Sequence, residues 1–185
     1  MGLEYINLDE QTRSFMVQEL NINDLYQSPR LTQHGLAIWP ELIEEAARNH
    51  SDTWLENQLI SQNCIKTSEY YIRAGVRRLR KVPKNSAQML AEGEFNRYYL
   101  RGLCLRAQSE GIETLTVYRG KNVFSPRVES EAKIGTEIRV DTLLIELRSN
   151  DFVSVDSAFS VPSGPNSGLT AKLSISKTGI QPLSA

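Results

Sequence analysis

Residues 85–111, NSAQMLAEGEFNRYYLRGLCLRAQSEG, carry the longest helical pattern of the chain and constrain its architecture more than any other segment. Met89, Leu90, Phe95, Tyr99, Leu103 and Ala107 recur at steps of three and four, the spacing that lines up side chains on one helix face. Asn85 or Ser86 suits the N-terminal cap and Gly111 the stop. Gly93 and Gly102 lie inside, each costing about 1 kcal/mol relative to Ala in a helix interior. Two such residues imply either a break at Gly93 or another backbone packed close against Gly102. The pattern predicts an amphipathic core helix. Arg97, Arg101 and Arg106 follow Glu94 along its polar side, and Phe95, Tyr99, Leu103 and Cys104 lie opposite.

The segments before it also read as helices. In NLDEQTRSFMVQEL, Asp9 caps a short helix whose Phe15, Met16 and Leu20 face inward. Pro29 and Gly35 bound an irregular connector. In WPELIEEAARNH, Pro40 suits a first helical position, and Ser51 or Asp52 caps a further helix. These two helices form a hairpin presenting Trp39 and Trp54 to one core. The stretch KTSEYYIRAGVRRLRKVPKN is ambiguous between helix and strand up to Pro83.

From Thr114 the periodicity changes to two. TLTVYRG alternates Leu115 and Val117 against Thr114, Thr116 and Tyr118, a strand pattern. GTEIRV, DFVSV and GLTAKLSIS read as further strands, the last with Leu169, Ala171, Leu173 and Ile175 on one face; Asp141 caps the helix TLLIELRS. The expectation is an α+β fold over 1–185 as one domain. A helical part, about 1–111, packs on a small mixed or antiparallel sheet formed by about 112–185.

Composition narrows the class. Apolar residues make up 40% and charged residues 23%, with a formal net charge of −1. That is an ordinary globular chain with no overall field toward nucleic acid or membrane. No apolar run approaches the roughly 18 residues that span a bilayer. The acidic opening MGLEYINLDE is no signal peptide, and Ile6 stands where a myristoylation site needs Ser or Thr. Cys64 and Cys104 are far apart, among apolar neighbours, which places the protein in a reducing cytoplasm, or in a virion if it is phage-encoded.

Few residues carry recognisable chemistry. His34 and His50 are the only histidines, and neither has a nitrogen or sulfur ligand within helical reach, so no metal is expected. No G-x-S-x-G elbow, P-loop or dinucleotide glycine fingerprint occurs. The run from 73 to 84 holds Arg73, Arg77, Arg78, Arg80, Lys81 and Lys84 with no acid among them. It suits phosphate contacts, an acidic protein partner, or simply a solvated face. Tyr70 and Tyr71 precede it, with no aromatic residues interleaved afterwards. The segment SGPNSG, 163–168, suits either backbone packing against an anion or an exposed linker.

Arg119 ends the strand TVYR, and FVSVDSAFS follows later. This pairing resembles part of the R-S-E class of ADP-ribosyltransferases. The resemblance implies that Arg119 grips a dinucleotide, NAD, and that Ser154, preceded by Phe152, braces the site. Val155 and Asp156 depart from the family's Thr-Ser, and no glutamate follows Glu146, so Asp151 and Asp156 are the only later carboxylates. An oxocarbenium-like transition state needs such a carboxylate held against it. The chain, in LYQSPRL, AEGEFNRYYLRGLCLRA and PSGPNSGL above all, also resembles an uncharacterised family of bacterial and phage-associated proteins. Two functional expectations follow. The first is a non-enzymatic interaction or structural protein without cofactor, a self-assembling or partner-binding component of a virion or mobile element. The second is an ADP-ribosyltransferase-like NAD-binding protein, active or degenerate, using Arg119 and Ser154.

Overall fold

The computed structural model describes residues 2–22, 25–149, 155–161 and 167–174. In chain order the elements are α1 (Glu10–Ile22), α2 (Gln33–Asn49), α3 (Asp52–Ser61), β1 (Ser68–Arg73), β2 (Val76–Lys81) and α4 (Ser86–Ser109). There follow β3 (Thr114–Arg119), α5 (Val128–Glu131), β4 (Glu137–Arg139), α6 (Val140–Arg148), α7 (Val155–Ala158) and β5 (Leu169–Leu173). The fold is α+β. Its three-stranded sheet is antiparallel in the order β4-β3-β5, and a separate two-stranded hairpin joins β1 to β2. That hairpin lies in the segment whose pattern is ambiguous between helix and strand, and α5 and α7 join the expected helix α6 within the strand-rich part.

Helix α4 is the axis of the molecule. It packs on α1, α3, α6 and β5, and every residue from 94 to 104 is buried. The amphipathic expectation therefore fails, because partners cover the polar side as well as the apolar one. The helix runs unbroken through Gly93, and the other alternative holds at Gly102. A Cβ there would lie 2.8 Å from the Met16 backbone nitrogen and 3.0 Å from the Thr12 carbonyl oxygen. Only glycine lets α1 approach this closely.

Side chains close the start of α1 and both ends of α2, satisfying some of the groups that helix termini leave, whereas the expected caps Ser51 of α3 and Asn85 of α4 make no side-chain cap hydrogen bond. Asp9 accepts from the Thr12 amide at 3.1 Å at the start of α1. Arg13 donates to the carbonyls of Ala46 (3.2 Å), Ala47 (2.9 Å) and His50 (2.8 Å) at the end of α2. Helix α2 begins earlier than the sequence pattern predicts, with Thr32 Oγ1 accepting from the Gly35 amide at 2.9 Å. Pro40 consequently lies inside the helix. Leu36, whose carbonyl would lose its partner, is on the exposed side, where water can serve it. Trp39 is fully buried and donates to the Tyr26 carbonyl at 3.0 Å, while Trp54 packs at the margin of the core and stacks on His50.

The sheet rests on α4 through its edge strand. Asn96 donates to the Leu169 carbonyl at 2.9 Å and Tyr99 to the Ala171 carbonyl at 3.1 Å, while the Leu173 amide donates to Asn7 Oδ1 at 3.0 Å. Alternate residues of β5 thus find side-chain partners on the edge that no described strand covers, which occupies groups that would otherwise invite further pairing. The N-terminal segment completes the join. The Glu4 amide donates to the Gly120 carbonyl at 2.7 Å, and the Leu3 amide to Asp52 at 2.8 Å. Of the predicted strand DFVSV, residues 151–154 lie outside the described residues and Val155 opens α7.

Candidate functional site

Arg119 stands at the C-terminal end of β3, as predicted, but its guanidinium is enclosed by protein groups. Nη2 lies 2.7 Å from Glu131 Oε1 and 3.3 Å from Ser130 Oγ, both carried by α5, and Nη1 donates to the Ser167 carbonyl. Ser167 in turn donates its hydroxyl to Asp156 on α7, and Arg127 meets the same carboxylate at 3.0 Å. The sequence contained both acids, but nothing in it paired Glu131 with this arginine or put Asp156 one serine away. Glu131 is half exposed, so this ion pair sits at the surface and not within a closed cavity. Ser154 and Asp151 lie outside the described residues.

Beside Arg119 opens a cleft of about 510 Å³, lined by Leu3, Glu4, Asp52 and Lys121 among others. Its polar groups are matched to one another. Asp52 accepts from the amides of Leu3 (2.8 Å) and Thr53 (2.7 Å) and from the Tyr5 hydroxyl (3.3 Å). Burial pushes the Asp52 carboxyl up, with the charge of Glu92 adding to the effect, and burial pushes the Tyr5 phenol up as well. Lys121 forms an ion pair with the buried Glu92. This cluster ties the N-terminal segment to α3 and to the turn after β3. In the sequence Asp52 reads only as a helix cap, and nothing marks Glu92. Among the described residues, no group of three His, Cys, Asp or Glu side chains is placed to hold a metal ion.

The arginines of α4 divide. Arg97 and Arg101 are buried, and Arg101 donates through Nε at 3.0 Å, and through Nη2, to the Leu147 carbonyl at the C-terminus of α6. A cation there meets the negative end of the helix dipole. Glu94 lies 3.6 Å from Arg97; burial raises its carboxyl and the nearby guanidiniums oppose that rise. Arg106 points instead to α1, pairing with Asp9 at 2.7 Å and with Glu110 at 2.8 Å. Cys64 and Cys104 are free and buried, and burial pushes both thiols up.

The basic run has a different character. Arg73, Arg77, Arg78, Arg80 and Lys81 lie on the β1–β2 hairpin, with Lys84 just beyond it. Strand register sorts the hairpin's side chains, since directly paired residues share a face. Tyr70 pairs with Leu79 and Ile72 with Arg77 on one face; Glu69 pairs with Arg80, Tyr71 with Arg78 and Arg73 with Val76 on the other. On the first face Tyr70, Ile72 and Leu79 are 61%, 77% and 60% exposed. The Arg77 guanidinium lies 3.9 Å from the Tyr70 ring centroid, and that of Arg80 5.1 Å from the Tyr71 centroid. Aromatic and cationic groups are therefore interleaved across the strands, where the linear sequence shows none. Neither helix nor strand periodicity is visible in the segment because neither face is buried.

The hairpin turns at Ala74 and Gly75, both with positive φ (50° and 74°), the conformation that matches strand twist in a two-residue turn. Its base is fixed. Arg30 meets Glu69 at 2.8 Å, Lys66 donates to the Pro29 carbonyl at 2.8 Å, and the Val82 amide donates to the Thr67 carbonyl at 3.0 Å. Beyond that base it packs extensively on no other described element.

No protein-family model, curated protein or solved structure matches the chain. No helix among the described residues is long and apolar enough to cross a membrane.

Proposed function

We propose that this is a non-enzymatic interaction protein that docks onto an anionic partner through the β1–β2 arm. One observation supports it above the others: Tyr70, Ile72 and Leu79 stand exposed together on a ribbon that packs on little besides itself. A two-stranded hairpin is at best marginally stable in water when nothing covers it. Clustered exposed apolar side chains on a soluble domain mark a contact surface. The surrounding charge sets the sign of the partner. Residues 66–84 hold seven cationic side chains and a single carboxylate, in a chain whose net charge is −1. The setting we propose is a larger assembly, such as a virion or mobile-element complex, as the resemblance to phage-associated proteins implies. The alternative of an NAD-binding transferase has less support, because the donors of Arg119 that would grip a dinucleotide already serve Ser167, Ser130 and Glu131.

Heparin chromatography tests the docking role. The protein is expected to be retained at low salt despite its negative net charge. The double variant Arg73→Glu with Arg78→Glu is expected to flow through with an unchanged melting midpoint. Passage of the unaltered protein through the column would overturn the proposal.

A further inference from the structure

We infer that the anionic partner of the arm is duplex DNA, with the β1–β2 ribbon seated in the major groove; this rests on the docking role proposed above. The first argument is where the cations lie. Arg73, Arg78 and Arg80 are on one face of the ribbon, and Arg77 and Lys81 are on the other. An acidic protein surface approaches a ribbon from one side, so cations on the far face would gain nothing from it. A groove has a phosphate wall on each side, and a two-faced basic ribbon meets both. Glu69 is the one acid of the arm, and it is turned to the base, where it pairs with Arg30 and Arg80. No carboxylate among the described residues pairs with Arg73, Arg77, Arg78, Lys81 or Lys84.

The second argument is size and spacing. Strands of six residues each extend about 20 Å, with their axes about 4.8 Å apart. The major groove, about 12 Å wide and 8.5 Å deep, admits a two-stranded ribbon. Same-face residues on a strand, such as Arg78 and Arg80, recur at about 6.8 Å. The tip at Ala74 and Gly75 is small, and a side chain at Gly75 would meet nothing of the protein within 4 Å. Ile72, Leu79 and Tyr70 are exposed on the face that also carries Arg77 and Lys81. These three residues also fit a second copy of the chain. Self-association would, however, bring two arms of the same strong charge together, which Coulomb repulsion opposes.

Fluorescence anisotropy with a labelled 24-base-pair duplex, the corresponding single strand and polyglutamate separates the possibilities. The duplex is expected to bind at least tenfold tighter than either other probe. Its affinity should fall with salt at a log–log slope of about −4, as for four neutralised phosphates. Arg73→Glu with Arg78→Glu should weaken binding at least thirtyfold, while Arg48→Glu on α2 leaves it unchanged. Methyl green, a major-groove ligand, should compete, and the minor-groove ligand distamycin should not. Equal or tighter arm-dependent binding to polyglutamate or the single strand, or competition by distamycin alone, overturns the duplex inference and leaves the docking role standing. Absence of arm-dependent binding to any probe removes both. Light scattering of the free protein should show a monomer; a dimer abolished by Ile72→Lys would assign the apolar face to a second copy and overturn the inference as well.

Discussion

Glu69, on the first strand of the arm, reaches back to Arg30 at 2.8 Å, and its other oxygen holds Arg80 at 2.7 Å. One carboxylate thereby joins the hairpin to the segment before α2 and fixes the two strands to each other at their base. Arg30 also approaches the Ser86 hydroxyl at the start of α4, so the base of the arm is referred to the central helix.

This clamp is pH-sensitive, and its sign is defined. Hydrogen bonding from Arg30, then from Arg80, holds the Glu69 carboxyl below its ordinary value of 4.5. A depressed folded value means that its contribution is complete above about 4.5 and is lost as pH falls through the lower folded value. Amide hydrogen exchange in residues 68–81 is expected to accelerate in Glu69→Gln at pH 6, with the amides of α4 unaffected. Acidification of the unaltered protein through the lowered folded value should bring arm exchange up to the variant's level at the same pH. Equal protection of the arm in both proteins at pH 6 would show that Glu69 does not anchor it.

The two interior glycines of α4 should respond oppositely to alanine. Nothing lies within 4 Å of a Cβ at Gly93, so Gly93→Ala is expected to stabilise the protein by up to about 1 kcal/mol through helix propensity. At Gly102 the same change drives a methyl into the α1 backbone. The overpacking cost of about 1–3 kcal/mol outweighs the propensity gain. Urea denaturation of the two variants measures both, and a stabilised Gly102→Ala would refute the close approach.

Arg119 is expected to behave as a structural arginine. Addition of 1 mM NAD should leave the melting midpoint where it was, whereas Arg119→Ala should lower it by freeing Glu131 and the Ser167 carbonyl. A rise of several degrees with NAD, abolished in Arg119→Ala, would show binding to the folded state through this residue and restore the transferase reading.

Helices α1 to α4 and α6 were legible because their signals are local. Asp9 capping α1 and the three-and-four spacing along α4 need no knowledge of the rest of the chain, and the alternation at 114–119 marks β3 for the same reason. The hairpin was not legible, because periodicity reports burial and the arm buries neither face. The polar stripe Glu94, Arg97, Arg101 misled for the converse reason: charged residues at helical spacing read as a solvated side, yet here α6 covers them and its terminal carbonyl makes Arg101 acceptable inside.

The candidate site divides along the same line. The density of cations between 73 and 84, and the position of Arg119 at a strand end, are properties of the chain itself. Tertiary structure decided what they can touch, by folding the cations onto an arm that packs extensively on no other described element and by bringing Glu131 and Ser167 onto Arg119. The physical reason is that charge is written residue by residue, while access to that charge depends on which distant segments desolvate or pair it.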